Sequence, residues 1–354
     1  MANLEQVAAQ VSPRTRSAAA FAILVAAVSL GGLLTYKVSG ALGALATAHQ
    51  TGAISPKTGI VSTVGLSAWA APLAASVDYF SWVLVALFFG VLIGAAVKVL
   101  VPQRWLVTSV GSPGFRGHLW AAVTGAPLML CSCCVTPVFE GVYARTRRLG
   151  PSLGLMFAAP SLNPVALTLT FMLFPAQVAV GRLVGAVCLV LFGAATLGRL
   201  LERVPSEQQV CEPPPRHERP SDVARAFASA VGDTTVKLIP AIVLGVVASA
   251  VLAQALPFGA ASAGSVIGVV LVVAALAVVI ALPTFGEIPI GVALLAAGVS
   301  EGAVLALLLA GPAINAPSLF ALGKAVSSRV AVATAIAVFL FAAAGGLGLA
   351  ALGP

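Results

Sequence analysis

Apolar residues dominate long stretches of this chain, near residues 17–36, 77–101, 151–174, 178–198, 227–256, 303–322 and 329–350, with polar joints between them. Such runs match the roughly 20 residues that carry a helix across a hydrocarbon core of about 30 Å. Each is predicted to be a transmembrane helix, because lipid offers no partner to an unpaired backbone group and barrel strands would alternate apolar with polar positions. Two further apolar segments, 118–149 and 265–299, are interrupted in the middle by proline, glycine and polar residues. The expected fold is an all-α polytopic membrane protein. The longest polar stretch, Arg199 to Arg225, is rich in proline and in both signs of charge and reads as a flexible linker. The segment from Val38 to Ser76, rich in Ala, Gly and Ser, carries no clear assignment.

Composition agrees with this pattern. Of 354 residues, 60% are apolar and 8% charged, against about 25% charged in a soluble domain. The formal charge of +8 does not point to nucleic acid, since the basic residues cluster at the ends of apolar runs, where they set topology and meet anionic lipid. The partner they imply is the lipid bilayer. Arg14 and Arg16 before the run Ser17 to Thr35 resemble the start of a signal peptide, but the run is long and much membrane follows, so an uncleaved first span is expected.

The basic residues also predict orientation. Arg14, Arg16, Lys98, Arg104, Arg116, Arg145, Arg147, Arg148, the linker arginines, Lys324 and Arg329 share one side if both interrupted segments return to the face they entered from. Lys37, Lys57 and Arg182 are the exceptions. The positive-inside rule then makes the N-terminus and the 199–226 linker cytoplasmic in a cell inner membrane. Re-entrant hairpins are the economical reading of 118–149 and 265–299, because a full crossing would strand Arg145, Arg147 and Arg148 outside.

An internal repeat organises the chain. Pro137, Gly150, Pro160 and Asn163 align with Pro289, Gly302, Pro312 and Asn315 at a constant offset of 152, and upstream Gly90 and Pro102 align with Gly245 and Pro257 at 155. The predicted divisions are an N-terminal span and non-cytoplasmic segment (1–76), a first permease repeat (77–198), the linker (199–226) and a second repeat (227–354). The copies enter from opposite sides, as the inverted repeats of secondary transporters do around a midplane site built from discontinuous helices.

Chemistry is expected at the interruptions. Pro160 lies about 14 Å into its span, near mid-core, so the helix should break there. Asn163-Pro164 reads as an N-cap followed by proline at the first helical position, and Asn315, with Pro317, repeats it after Pro312. In the stretch CSCCVTP, Thr136 and Pro137 read as another cap and helix start. Cys131, Cys133 and Cys134 then occupy the turn before a helix N-terminus, a setting that favours the thiolate that binds soft metals and metalloids. A disulfide between the adjacent Cys133 and Cys134 would be strained. A structural zinc site lacks a fourth ligand or nearby histidine, so no resident metal is expected. Lone Cys188 reads as a small hydrophobe, and Cys211 and His217 in the linker, with no second pair beside them, are not expected to bind metal. The second repeat carries Phe285-Gly286-Glu287-Ile288-Pro289 in place of the thiols. Glu287 and Glu140 are acids in apolar surroundings and candidates for proton coupling, although pairing with Arg145 would also account for Glu140. Asp233 and Lys237 read as a helix pair.

CSC with its spacing to Pro137, Leu149-Gly150-Pro151, and Ala159-Pro160-Ser161-Leu162-Asn163-Pro164 resemble the predicted permeases of the ArsP type, over roughly Val77 to Ala350. The resemblance implies an inner-membrane carrier, neither an enzyme nor cofactor-dependent, exporting trivalent organoarsenicals such as methylarsenite. Thiol placement and the symmetry of the repeats point to a substrate-binding role for Cys131, Cys133, Cys134, Asn163 and Asn315 toward a small thiophilic substrate. The absence of a GxxxxGK[ST] loop in the linker agrees with a carrier rather than an ATPase. The family usually has glycine where this chain has Cys134. Permeation of another soft metal or metalloid, a membrane thiol-disulfide redox protein and a channel-like pore are the alternatives. The redox reading requires accessible thiols with a partner dithiol.

Overall fold

The long apolar runs are helices. A computed structural model describes residues 13–51, 60–61, 67, 70–101, 106, 108–112, 114–201, 220–255, 265–283 and 285–352, and among them there is no strand. Lys57, Pro102, Cys211, His217 and Pro257 lie outside the described residues, as does most of the linker.

The helices in chain order are α1 (Pro13–Thr51), α2 (Ala70–Val99), α3 (Phe115–Gly125), α4 (Ser132–Thr146), α5 (Leu149–Ser161), α6 (Pro164–Leu173) and α7 (Ala176–Cys188). A π turn at Leu189–Gly193 joins α7 to α8 (Ala194–Leu201). The second half holds α9 (Pro220–Ala255), α10 (Val266–Val279), α11 (Glu287–Ala296), α12 (Glu301–Ala313), α13 (Ala316–Ala325) and α14 (Ser328–Ala351).

Among the described residues, six helical stretches are long and apolar enough to cross a membrane: part of α1, α2, α7 with α8, α9, α12 with α13, and α14. The pair α5 and α6, bent by 45° at its break, makes a seventh when it is counted as one broken span. The chain is an all-α, multi-pass membrane protein. The first span extends beyond its expected end at residue 36: α1 continues to Thr51. The added stretch, residues 37–51, contains no proline to stop the helix.

The interrupted segments become α3 with α4 and α10 with α11. At 1.5 Å per residue these helices are about 16, 22, 21 and 15 Å long, each short of a core of about 30 Å. Between α3 and α4 come a 3-10 turn, Ala126–Leu128, and Met129 at φ 50°; between α10 and α11, Phe285 sits at φ 70°. Left-handed backbone is costly for side chains of this size and is retained where surroundings over-determine it.

At the centre lie α5 and α12, buried at every position from Leu149 to Ser161 and from Gly302 to Ala313. A helix apolar on all sides belongs in such an interior. The neighbours of the two correspond: α5 packs against α3, α4 and α8, and α12 against α10, α11 and α14. Farther out the halves differ, for α2 seats on α4 whereas α9 seats on α13.

Both outer contacts depend on glycine. A Cβ on Gly90 would overlap the Cys134 carbonyl oxygen, one on Gly94 that of Pro137, and one on Gly245 the backbone of Pro317. Small residues let membrane helices approach backbone to backbone, and here they press α2 onto the cysteine helix. Gly90→Ala is expected to cost about 1–3 kcal/mol through overpacking. Gly43→Ala, whose added methyl would meet nothing within 4 Å, is expected to be neutral or stabilising by up to about 1 kcal/mol. Unfolding of the two variants in detergent measures the contrast; equal stability would mean that the α2–α4 contact tolerates separation.

Candidate functional site

All four interruptions of the helical pattern meet at one cavity. It is lined by Leu130, Cys131 and Ser132 from the α3–α4 tip, and by Leu282, Pro283, Phe285 and Glu287 from the α10–α11 tip. Pro160, Asn163 and Ala166 reach it from the α5–α6 break, and Gly311 and Pro312 from the end of α12. Its empty volume is about 310 Å³.

The cysteine helix starts earlier than Thr136 and Pro137 predict. Its first residue is Ser132, and Cys131 takes the N-cap position with extended backbone. Val135 N–H already donates to the Cys131 carbonyl at 3.0 Å, and Thr136 spends its hydroxyl on the Ser132 carbonyl at 2.9 Å instead of capping. Pro137 therefore lies inside α4, where its missing N–H withdraws a helical bond from the Cys133 carbonyl. The helix survives because α2 clasps it there through Gly90 and Gly94. No side chain caps α4, so the N–H groups of its first turn lack a side-chain partner beside the cavity.

The thiols form a tight triangle. Sγ separations are 2.7 Å for Cys131–Cys134, 3.3 Å for Cys131–Cys133 and 3.7 Å for Cys133–Cys134, and all three cysteines are free and buried. Cys131 lines the cavity, while Cys133 and Cys134 stand behind it at 0% exposure. The Tyr79 hydroxyl on α2 lies 3.2 Å from Cys133 Sγ. Nothing in the sequence near Tyr79 signals this contact across 54 residues; it follows from the glycine-mediated approach of α2. Cys188 is apart, half-buried on α7.

The breaks fall slightly beyond the prolines. α5 runs through Pro160 to Ser161, and α12 through Pro312 to Ala313. Each proline removes a bond only in the last turn, where the helix is ending anyway. Asn163 then caps α6, accepting from Val165 and Ala166 N–H at 3.0 and 3.3 Å, with Pro164 at the first helical position. Asn315 caps α13 in a capping box with Ser318, a partner absent from the sequence reading. It is buried without lining the cavity, and its amide Nδ2 has no hydrogen bond among the described residues. Pro289 lies in the first turn of α11, which begins at Glu287.

Glu287 is paired. Arg182 on α7 donates through Nη2 to Glu287 Oε1 at 2.8 Å and through Nη1 to Thr170 Oγ1 on α6 at 2.7 Å. With side-chain exposures of 1% and 6% this ion pair is buried. Glu287 also heads α11, whose N-terminal dipole favours a carboxylate. Arg182, taken from sequence as an exception to the charge rule, is the partner of the acid. Its signal was available, since an arginine inside an apolar run is expensive unless paired.

Glu140 is not among the residues that line the cavity, and two lysines pair with it. Its carboxylate lies 3.0 Å from Lys98 on α2 and 2.8 Å from Lys237 on α9, and Lys98 also donates to Thr234 at 2.8 Å. Arg145 donates to the Lys98 and Val101 carbonyls at the end of α2. Lys237, expected to pair with Asp233 along one helix, reaches across to α4 because the packing of α9 on α2 brings it there. Both ion networks thus join an element of residues 70–201 to one of residues 220–351.

Comparison with known proteins agrees with these motifs. Residues 83–349 match the model of the ArsP_1 family, described as a predicted permease. UPF0718 protein YraQ of Escherichia coli (strain K12) is 29% identical over 306 residues, 85% of this chain and 87% of that protein. UPF0718 protein MJ0584 of Methanocaldococcus jannaschii is 29% identical over 84 residues, 23% of each chain. No solved structure matches. The family model spans most of the chain, including the cysteine triangle, both breaks and both ion networks, and the chain therefore belongs to the ArsP_1 family of predicted permeases.

Proposed function

We propose that this permease exports a thiophilic substrate, a trivalent organoarsenical such as methylarsenite, by alternating access across the cell inner membrane. The observation that carries the proposal is the cavity at which both hairpin tips and both helix breaks meet, with Cys131 and Glu287 among its lining residues. Soft thiolate ligands select soft metalloids, and a thiol at a cavity lining can exchange its ligand without opening the fold. Asn163 and Asn315 hold the half-helix starts in place around the substrate.

The N-terminus and the 199–226 linker are cytoplasmic in this reading, α3–α4 and α10–α11 are re-entrant, and residues 77–198 and 227–354 are inverted repeats. Rocking of one repeat against the other changes which face the cavity opens to. The Arg182–Glu287 and Glu140–Lys98–Lys237 networks tie the repeats together, so protonation of a carboxylate releases a tie. We assign the coupling to Glu287, which lines the cavity, with Glu140 as the second tie.

Everted membrane vesicles containing the protein and energised by a proton gradient are expected to accumulate methylarsenite, and to lose accumulation when the gradient is collapsed. Vesicles that accumulate no trivalent arsenical above empty-membrane controls would overturn the export reading. Thiols that cycle between reduced and oxidised states without accumulation would favour a redox protein instead.

A further inference from the structure

Building on the export reading, we infer that Cys131, Cys133 and Cys134 act as one three-sulfur site for a trivalent metalloid bearing no organic substituent, the chemistry of arsenite and antimonite. The three Sγ atoms lie within 4.8 Å of one another. An ion held about 2.3 Å from each sulfur, the length of a zinc–thiolate bond, requires sulfur separations of about 3.4–3.8 Å. The Cys131–Cys133 and Cys133–Cys134 separations, 3.3 and 3.7 Å, are already close to this, and only Cys131–Cys134, at 2.7 Å, has to widen. Cys131 at the N-cap is the thiol free to do so, because it faces the cavity while the others are locked in the first turn of α4.

Charge selects the oxidation state. Cys133 and Cys134 are wholly buried, and an interior of this kind penalises any uncompensated charge. Three thiols that replace the three hydroxides of a trivalent centre pass their protons to those hydroxides, which leave as water, and a neutral complex remains, whereas a divalent or monovalent ion held by all three thiolates leaves net negative charge. The exchange is As(OH)3 + 3 RSH → As(SR)3 + 3 H2O, with every arsenic–oxygen bond replaced by arsenic–sulfur and no change of oxidation state. Methylarsenite has two exchangeable oxygens, so it engages two thiols and leaves the third protonated. Exchange begins at Cys131 and moves inward to Cys133 and Cys134.

Counting blocked thiols tests this directly. Full-length protein with Cys188→Ser and Cys211→Ser, purified in detergent, is incubated with arsenite or methylarsenite, alkylated, and weighed intact by mass spectrometry. Arsenite is expected to block all three thiols and methylarsenite two. Cys134→Ser is expected to weaken arsenite binding at least tenfold more than methylarsenite binding, with thermal unfolding verifying the fold. If methylarsenite blocks two thiols while arsenite leaves one or more open, or if Cys134→Ser weakens both ligands equally, the three-sulfur site is wrong and the organoarsenical reading stands. If neither arsenical blocks any thiol, both readings fall.

Discussion

Arg182→Ala loses about 3–5 kcal/mol of stability, the penalty for removing one partner of a buried ion pair. The guanidinium is the largest fully buried side chain among the described residues and bridges three helices, α6 through Thr170, α11 through Glu287, and its own α7. Its removal leaves the Glu287 carboxylate at 6% exposure with no basic partner among its recorded bonds. The arginine volume is also emptied. The double variant Arg182→Met with Glu287→Gln removes both charges and keeps most of the volume, and replacing both members of such a pair is often close to neutral. It is therefore expected to recover most of the loss. Unfolding in mixed detergent micelles measures all three proteins; a single variant within about 1 kcal/mol of wild type would show that Glu287 sheds its charge readily. Transport by the stable double variant separates the structural tie from proton coupling, since coupling at Glu287 predicts loss of gradient dependence.

Cys131→Ser reduces methylarsenite accumulation in everted vesicles at least a hundredfold while the protein still inserts and folds. Cys131 is the cysteine that lines the cavity, with Cys133 and Cys134 at 0% exposure behind it. The serine hydroxyl is nearly isosteric, yet it is a hard oxygen ligand with little affinity for a soft centre. Cys188→Ser, remote on α7, is the matched control and should transport normally. Undiminished transport by Cys131→Ser would remove this thiol from the path and would redirect attention to the carboxylate side of the cavity.

How much of this was legible beforehand varies by residue. The Asn163 cap and the Pro164 start required only local chemistry, and they stand where the motif places them. Thr136 and Pro137 carry the same local signature, yet the helix starts five residues earlier, at Ser132. The difference is a neighbour: Gly90 and Gly94 of α2 hold that turn helical from outside, and a motif contains no term for what packs on it. Glu140 follows the same logic. Within its own helix Arg145 is the apparent partner, but side chains arriving on α2 and α9 offer two lysines, and the acid pairs with them.

The sequence by itself determined the solvent, the helical class and the positions where helices stop, because lipid forbids unpaired backbone and proline forbids a bond regardless of what lies nearby. It also identified which residues are chemically expensive in such a setting, the thiols, the acids and, had it been weighed on the same scale, Arg182. Only the tertiary structure decided how these are joined. Cys131 lines the cavity and Cys133 and Cys134 do not, Tyr79 reaches Cys133, Arg182 holds Glu287, and two lysines hold Glu140. Each contact spans segments distant in sequence. Distance along an apolar chain has no energetic signature until packing brings the charges and sulfurs together and burial makes their pairing obligatory.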